Sequence, residues 1–183
     1  MGQGAEVRWP PSEGPKVFAY LKAGYVGLEA ILSALHGLPG SVLVHTPGVA
    51  RKTVQQFTSA RMTFSIQPLD MDQVRSSCDL ALCHGGGGTT AALLLAGKPL
   101  VLFPMHMEQA MTARRLSELG VAITVVPEAC GQLPRLLKKA LSDSTLSQAA
   151  QKFSTGHDNY QQQNTIRLAA DRCEALFLTR ATP

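Results

Sequence analysis

The chain lacks an uninterrupted apolar run of the ~18 residues that a membrane-spanning helix requires. Its longest candidate, residues 91–103, is interrupted by Gly97, Lys98 and Pro99. The first residues also lack the basic start and apolar stretch of a secretory signal. We therefore predict a cytoplasmic protein without a transmembrane segment. Its 183 residues, 45% of them apolar, suffice for one globular domain with a real core.

Aromatic residues and clustered basic residues are also scarce. Aromatic side chains make up 5% of the chain, and the basic residues behind the net charge of +4 are scattered. Nucleic-acid grooves need clustered charge or aromatic stacking platforms, so we expect no nucleic-acid partner. A modest positive field suits a small anionic ligand.

The four cysteines form no CxxC pair, and no His/Cys spacing fits a zinc site. We read them as reduced, mostly packed cysteines, and we expect no bound metal. The nicotinamide signature Gly-x-Gly-x-x-Gly and the ATP-binding Gly-x-x-x-x-Gly-Lys-Ser/Thr signature are absent as well. No cofactor is therefore expected.

Short apolar runs alternate with helical patterns along the chain. This rhythm predicts an α/β fold, a doubly wound six-stranded parallel sheet. The apolar residues Ile166, Ala169, Ala170, Cys173 and Phe177 mark one stripe of a final helix. Residues 1–15, rich in proline and glycine, are expected to form a linker or arm before a domain of residues 16–183. The strands are predicted at 16–21, 41–45, 62–66, 79–83, 100–103 and 121–126, and the helices at 28–35, 49–60, 70–77, 89–96, 108–119, 133–141 and 145–153.

The most informative segment follows the fourth predicted strand. An apolar run ends in His84, four glycines follow, and Thr89 and Thr90 then open a helix. Glycines let a ligand approach the backbone, and a helix N-terminus attracts an anion. The alternative is a glycine-rich connection beside a buried histidine. Because nothing structural requires four costly glycines, the pattern favours a phosphate-binding loop.

Two further loops fall at the same carboxyl edge of the predicted sheet. Glu108 and Gln109 follow the fifth strand, and a carboxylate with an amide can bind vicinal sugar hydroxyls. An ordinary acidic helix start beside a solvated amide is the alternative. The segment Gln67, Pro68 and Leu69 follows the third strand and offers a wall for a nucleobase, or simply a turn.

The run His84-Gly-Gly-Gly-Gly-Thr-Thr, with Gly97-Lys-Pro and Glu108-Gln109 after it, resembles the donor-binding signature of GT-B nucleotide-sugar glycosyltransferases. Within that fold it is most similar to the UDP-glucosyl/glucuronosyltransferase-like family of bacterial type. The direct match covers residues 67–120. The resemblance implies a Rossmann-like domain that binds a UDP- or dTDP-sugar for inverting transfer to an acceptor hydroxyl.

The resemblance also implies roles for individual residues and the use of no metal. Glu108 and Gln109 would bind the donor sugar, and Gln67, Pro68 and Leu69 would lie along the base. The donor diphosphate would be contacted by His84, Gly86, Gly88, Thr89 and Thr90.

The sequence departs from the family pattern at two positions. Where many members carry a glutamate that contacts the ribose, this chain has Ala92, which points to weaker ribose recognition or to a deoxynucleotide such as dTDP. The first strand of the family usually ends in a Gly-Ser/Thr turn near the phosphates. Here the sequence is Tyr-Leu-Lys-Ala-Gly, so Lys22 could serve instead.

The family's N-terminal half, which binds the acceptor and supplies a histidine general base, has no counterpart in this sequence. We therefore expect no catalytic residue in this chain, and a truncated, inactive donor half whose partner is the acceptor domain of the same protein or of another chain. A non-catalytic nucleotide-binding or assembly module and, less well matched, a sugar-nucleotide epimerase of the same fold are the alternatives.

Overall fold

The computed structural model describes residues 4–160 and 162–180. Six strands form one sheet in the order β3-β2-β1-β4-β5-β6, and all neighbours are parallel. This confirms the predicted six-stranded doubly wound sheet. The strands are β1 (Lys16–Tyr20), β2 (Ser41–His45), β3 (Met62–Ser65), β4 (Leu80–Cys83), β5 (Leu100–Leu102) and β6 (Ala122–Thr124).

Helices connect the strands. They are α1 (Leu28–His36), α2 (Arg51–Phe57), α3 (Met71–Ser77), α4 (Gly87–Leu95), α5 (Met107–Glu118), α6 (Leu133–Ser142), α7 (Ser144–Thr155) and α8 (Gln162–Arg180). A short 3-10 helix, Pro127–Gln132, comes before α6 and was not predicted. Pro127 opens it, because proline has the backbone angle of a helix start already set.

Both faces of the sheet are buried by helices. On one face, Ile31, Leu32 and Leu35 of α1 pack with Leu137 of α6 against the strands. On the other face, Val74 of α3, Leu93 and Leu94 of α4, and Ala113 and Leu116 of α5 do the same. Because α1 and α4 leave the adjacent strands β1 and β4 toward opposite faces, a crevice opens at the carboxyl ends of these strands.

The segment predicted as a linker or arm lies against the domain. Ala5 forms a parallel bridge with Leu69. The Val7 N–H donates to Oε1 of Gln73 at 2.9 Å, and the Trp9 indole N–H donates to Oγ of Ser77 at 3.0 Å. The arm is therefore hydrogen-bonded along the outer side of α3, while the prediction for residues 1–3 lies outside the described residues.

Helix α8 contrasts with the other helices, because its described side chains, from 164 to 176, are all exposed. Ile166 of the predicted apolar stripe is 65% exposed, and Leu168 beside the stripe is 67% exposed. The side chain of Phe177 lies outside the described part of the chain. In the ranges 4–160 and 162–180, no helix combines the length and the apolar character needed to cross a bilayer.

Candidate functional site

Parallel pairing brings three loops of the chain to one edge of the sheet. In register, Tyr20 at the end of β1 lies beside His45 of β2, and His45 lies beside Ser65 of β3. The rings of Tyr20 and His45 stack with centroids 5.2 Å apart. On the other side of β1, β4 runs into His84 and the glycines. The loops after β3 and β4 therefore lie at the same edge of the sheet, on either side of β1.

Gly85 is the one glycine of the loop that requires glycine for backbone reasons. Its φ of +85° lies in the left-handed region, and a Cβ would come 3.3 Å from the carbonyl oxygen of Gln109. A Cβ at Gly86, Gly87 or Gly88 would meet no protein atom within 4 Å. The last three glycines therefore border open space, as a backbone approached by a ligand would.

The first turn of α4 offers unpaired backbone donors to that space. Gly86 caps the helix in an extended conformation without a side-chain hydrogen bond, and the first turn contains no acidic residue. The N–H of Thr90 already reaches the carbonyl of Gly86 at 3.1 Å. The preceding N–H groups have no carbonyl partner within the helix, and the positive end of the helix dipole lies there.

His84 is held at both ring nitrogens by backbone groups. Nδ1 lies 2.6 Å from the carbonyl oxygen of Phe103, and Nε2 accepts the backbone N–H of Lys22 at 2.8 Å. Since a carbonyl oxygen only accepts, the proton lies on Nδ1. Burial lowers the pKa of His84, although the bond to Phe103 opposes that effect. The neutral imidazole, 6% exposed, thus has no free nitrogen for a phosphate in this arrangement.

The side chains of the two threonines after the glycines lie in different environments. Thr90 is 3% exposed, and its Oγ1 lies 3.8 Å from the sulfur of Cys83 in the core. Burial raises the pKa of the Cys83 thiol, so the pair stays neutral. Thr89 is half-buried at the crevice end of α4. Of the two hydroxyls, the structure therefore leaves that of Thr89 available to a ligand.

The predicted sugar-binding pair lies beside the glycine loop. Glu108 is exposed in the first turn of α5, and no hydrogen bond or ion pair of its carboxylate occurs within residues 4–160 and 162–180. Gln109 uses Oε1 to accept the Met105 N–H at 2.9 Å, which leaves its amide NH₂ as a donor. The close approach of Gly85 to Gln109 shows that the two loops are neighbours.

The predicted base-binding segment is only partly open. Gln67 and Pro68 are exposed, whereas Leu69 is 9% exposed and packs in the core. The carbonyl of Pro68 accepts the N–H of Ala5 at 2.8 Å, so the arm already pairs with this backbone edge. Gln67 and Pro68 are the parts of the segment that can face a ligand.

A cavity of about 610 Å³ lies between the exits of β2 and β3 and helix α2. Thr46 lines it, and its buried hydroxyl has no hydrogen-bond partner among the described residues. Ile66, also in the lining, is 89% exposed. Sequence reasoning missed both residues. A polar residue directly after the buried strand β2 and an apolar residue directly after β3 were the available signals.

These features define a class of protein: a doubly wound α/β domain with an uncapped, open helix start at the carboxyl edge of its sheet, the kind of position that attracts anions. The particular family follows from comparison with known proteins. The chain belongs to the family described as erythromycin biosynthesis protein CIII-like, C-terminal domain, whose model matches residues 29–175.

Relatives with curated names are glycosyltransferases. A PGL/p-HBAD biosynthesis glycosyltransferase of Mycobacterium tuberculosis is 27% identical over 148 residues, which cover 79% of this chain and 34% of the relative. The NDP-glycosyltransferase YjiC of Bacillus subtilis is 34% identical over 86 residues, 47% of this chain and 19% of the relative. The chain thus spans about a third or less of the length of these two relatives.

Solved structures show the same fold. The calicheamicin glycosyltransferase CalG4 superposes with a TM-score of 0.72 at 22% identity, over 95% of this chain and 46% of that one. The glycosyltransferase VinC, solved in complex with dTDP, has a TM-score of 0.68 at 18% identity, over 81% of this chain and 38% of that one. The predicted Rossmann-like half of a GT-B fold is confirmed.

Proposed function

We propose that this chain binds the nucleotide-sugar donor of a glycosyltransferase. The observation that carries the proposal is the open start of α4, where the backbone of Gly86–Gly88 borders empty space in a family of glycosyltransferase domains. The relatives VinC and SpnG were solved with thymidine diphosphate bound. With Ala92 in place of a carboxylate for the ribose hydroxyls, dTDP is favoured over UDP.

In this proposal the diphosphate lies against Gly86, Gly88 and Thr89. The transfer is inverting: an acceptor hydroxyl attacks the anomeric carbon, the bond to the diphosphate breaks, and negative charge develops on that diphosphate. Fixed amide donors and the helix dipole stabilise this charge. The polar side-chain atoms of His84 and Thr90 are engaged within the protein. These two residues therefore support the loop and do not contact the diphosphate. The acceptor and the general base belong to an acceptor domain, in the same protein or in a partner chain.

The donor sugar is placed against Glu108 and Gln109, where a free carboxylate and an amide NH₂ can bind vicinal hydroxyls. Within the described part of the chain, no three His, Cys, Asp or Glu side chains come together as a metal site. We propose that the amides of α4 meet the diphosphate charge without a metal ion.

The nucleobase is placed in the cavity between the exits of β2 and β3, whose lining ends at Ile66, directly before Gln67 and Pro68 in the chain. Exposed Ile66 offers an apolar surface to a flat ring.

Calorimetric titration of the chain with dTDP, UDP and GDP tests the proposal. We expect dTDP to bind more tightly than UDP, because Ala92 offers no carboxylate to the ribose hydroxyls of UDP, and GDP serves as the purine comparison. Titrations in EDTA and in Mg²⁺ should agree if no metal is used. A folded sample that gives no heat with any of the three nucleotides would refute the proposed function.

A charge placed in the first turn of α4 gives a sharper test. Gly87→Asp puts a carboxylate where the protein leaves open space, so the fold should keep its stability or gain about 0.3–1 kcal/mol from the helix dipole. Affinity for dTDP should fall about a hundredfold or more, because close like charges cost several kcal/mol. The control Ser144→Asp adds the same charge at an exposed position in the first turn of α7, at the amino ends of β1, β4 and β5 and so at the opposite edge of the sheet, and should bind dTDP normally.

A further inference from the structure

Lys22 follows β1, and β1 lies between the two halves of the proposed ligand site. In the sheet, β2 and β3 lie on one side of β1, together with the base cavity. Strand β4 lies on the other side of β1, together with the glycine loop. Neighbouring strands are about 4.8 Å apart. A nucleoside diphosphate that reaches from the cavity to α4 therefore passes over the exit of β1.

The backbone of Lys22 is fixed by two hydrogen bonds, and its exposed side chain contacts Tyr20 at the end of β1. Its N–H donates to Nε2 of His84 at 2.8 Å, and its carbonyl accepts the N–H of Tyr25 at 3.1 Å. The side chain is exposed, and Nζ lies 3.3 Å from the Tyr20 hydroxyl and 5.3 Å from the centre of that ring. Among the described residues, no carboxylate lies within ion-pair distance of Nζ.

The rest of the phosphate site supplies dipoles but no formal charge. The glycine loop is neutral, and His84 is a neutral imidazole with both nitrogens engaged. Two phosphate groups carry more negative charge than one helix dipole, worth about half an elementary charge, can balance. An ammonium group with three donors and no carboxylate partner would complete the site.

We infer that Lys22 is the side-chain cation that binds the donor diphosphate, and that His84 is a positioning residue that holds the Lys22 backbone at the crevice. The inference rests on the proposed function and deepens it. Lys22 balances the charge on the departing diphosphate. His84 does not contact the diphosphate, because both of its ring nitrogens are engaged within the protein.

The test compares the 183-residue chain with Lys22→Met, Lys22→Arg and Lys138→Met, the last being an exposed lysine of α6 away from the crevice. Calorimetry with dTDP should show a loss of about tenfold or more for Lys22→Met, as expected for a charge-assisted hydrogen bond. Lys22→Arg should stay within a few-fold of the parent, and Lys138→Met should match it. The dTDP affinity of Lys22→Met should also depend less steeply on salt.

Thymidine binding, measured by ligand-observed NMR, separates the contribution of the phosphate charge from that of the nucleoside. It carries no phosphate, so all four proteins should bind it equally. Equal dTDP affinity of Lys22→Met and the parent would overturn the inference, as would an equal loss for thymidine and dTDP. If the parent itself binds no dTDP, the proposed function fails in the first titration, before any variant is compared.

Discussion

His84 was predicted from the sequence as a diphosphate ligand, and its surroundings in the fold favour a different role. Phe103 comes from the end of β5, and Lys22 from the loop after β1. A sequence motif cannot show that both ring nitrogens are occupied, because the two partners lie 19 and 62 residues away along the chain. The direct contact of His84 with a phosphate stays a prediction, and the geometry favours a supporting role.

The buried neutral histidine makes stability depend on pH. The pKa of His84 is lowered in the folded state, so the unfolded chain binds this proton more readily. The stabilising contribution is complete above the ordinary histidine pKa and is lost as pH falls through the folded value. We expect the melting temperature to drop between pH 7.5 and 5, and to drop less steeply in His84→Asn. Circular dichroism melts at several pH values measure this, and equal slopes for the two proteins would contradict it.

At the scale of elements, apolar runs predicted the strands well. The limits of β2 were predicted to the residue, since Ser41–His45 is buried throughout. Helix α4 begins at Gly87, two residues before the predicted start, because Gly87 and Gly88 adopt helical geometry despite their low propensity. The prediction for β6 was too long: the strand is Ala122–Thr124, because only this part pairs with β5.

Helix α8 is expected to contribute little to the stability of the domain. Its described side chains, 164–176, are exposed and so bury little apolar surface, and a chain that ends after Tyr160 tests their contribution. The melting temperature should change by no more than about 2 °C, and dTDP affinity should be unchanged. As a positive control, Leu146→Ala in α7 removes a side chain that is 7% exposed and should lower the melting temperature clearly. A large loss on truncation would show that α8 packs on the domain.

At the scale of the whole molecule, the arm and the sheet should unfold together. Trp9 is the single tryptophan, so its fluorescence reports on the arm alone. Its ring packs on the core, and its N–H reaches Ser77. Urea unfolding followed by Trp9 fluorescence and by circular dichroism should give one midpoint. Ser77→Ala removes the acceptor of the Trp9 N–H and should lower the free energy of unfolding seen by both probes by about 0.5–1.5 kcal/mol. Fluorescence that changes first would show that the arm is an independent linker.

The apolar stripe of α8 shows what sequence periodicity cannot predict about the whole molecule. The spacing of Ile166, Ala169, Ala170 and Cys173 predicts a helix and one apolar face, and the helix is present. Periodicity describes a face but does not show what covers it. In this structure those side chains are exposed.

The sequence alone determined the alternation of strands and helices, the parallel doubly wound sheet and the location of the glycine loop after β4. These follow from local apolar periodicity and from four adjacent glycines, which act over a few residues. The tertiary structure alone decided which of the predicted groups face the crevice. It turned the Thr90 hydroxyl into the core, engaged both nitrogens of His84 and exposed Ile66 beside the unpaired Thr46. The physical reason is that burial and hydrogen bonding at the sheet edge join residues distant in sequence.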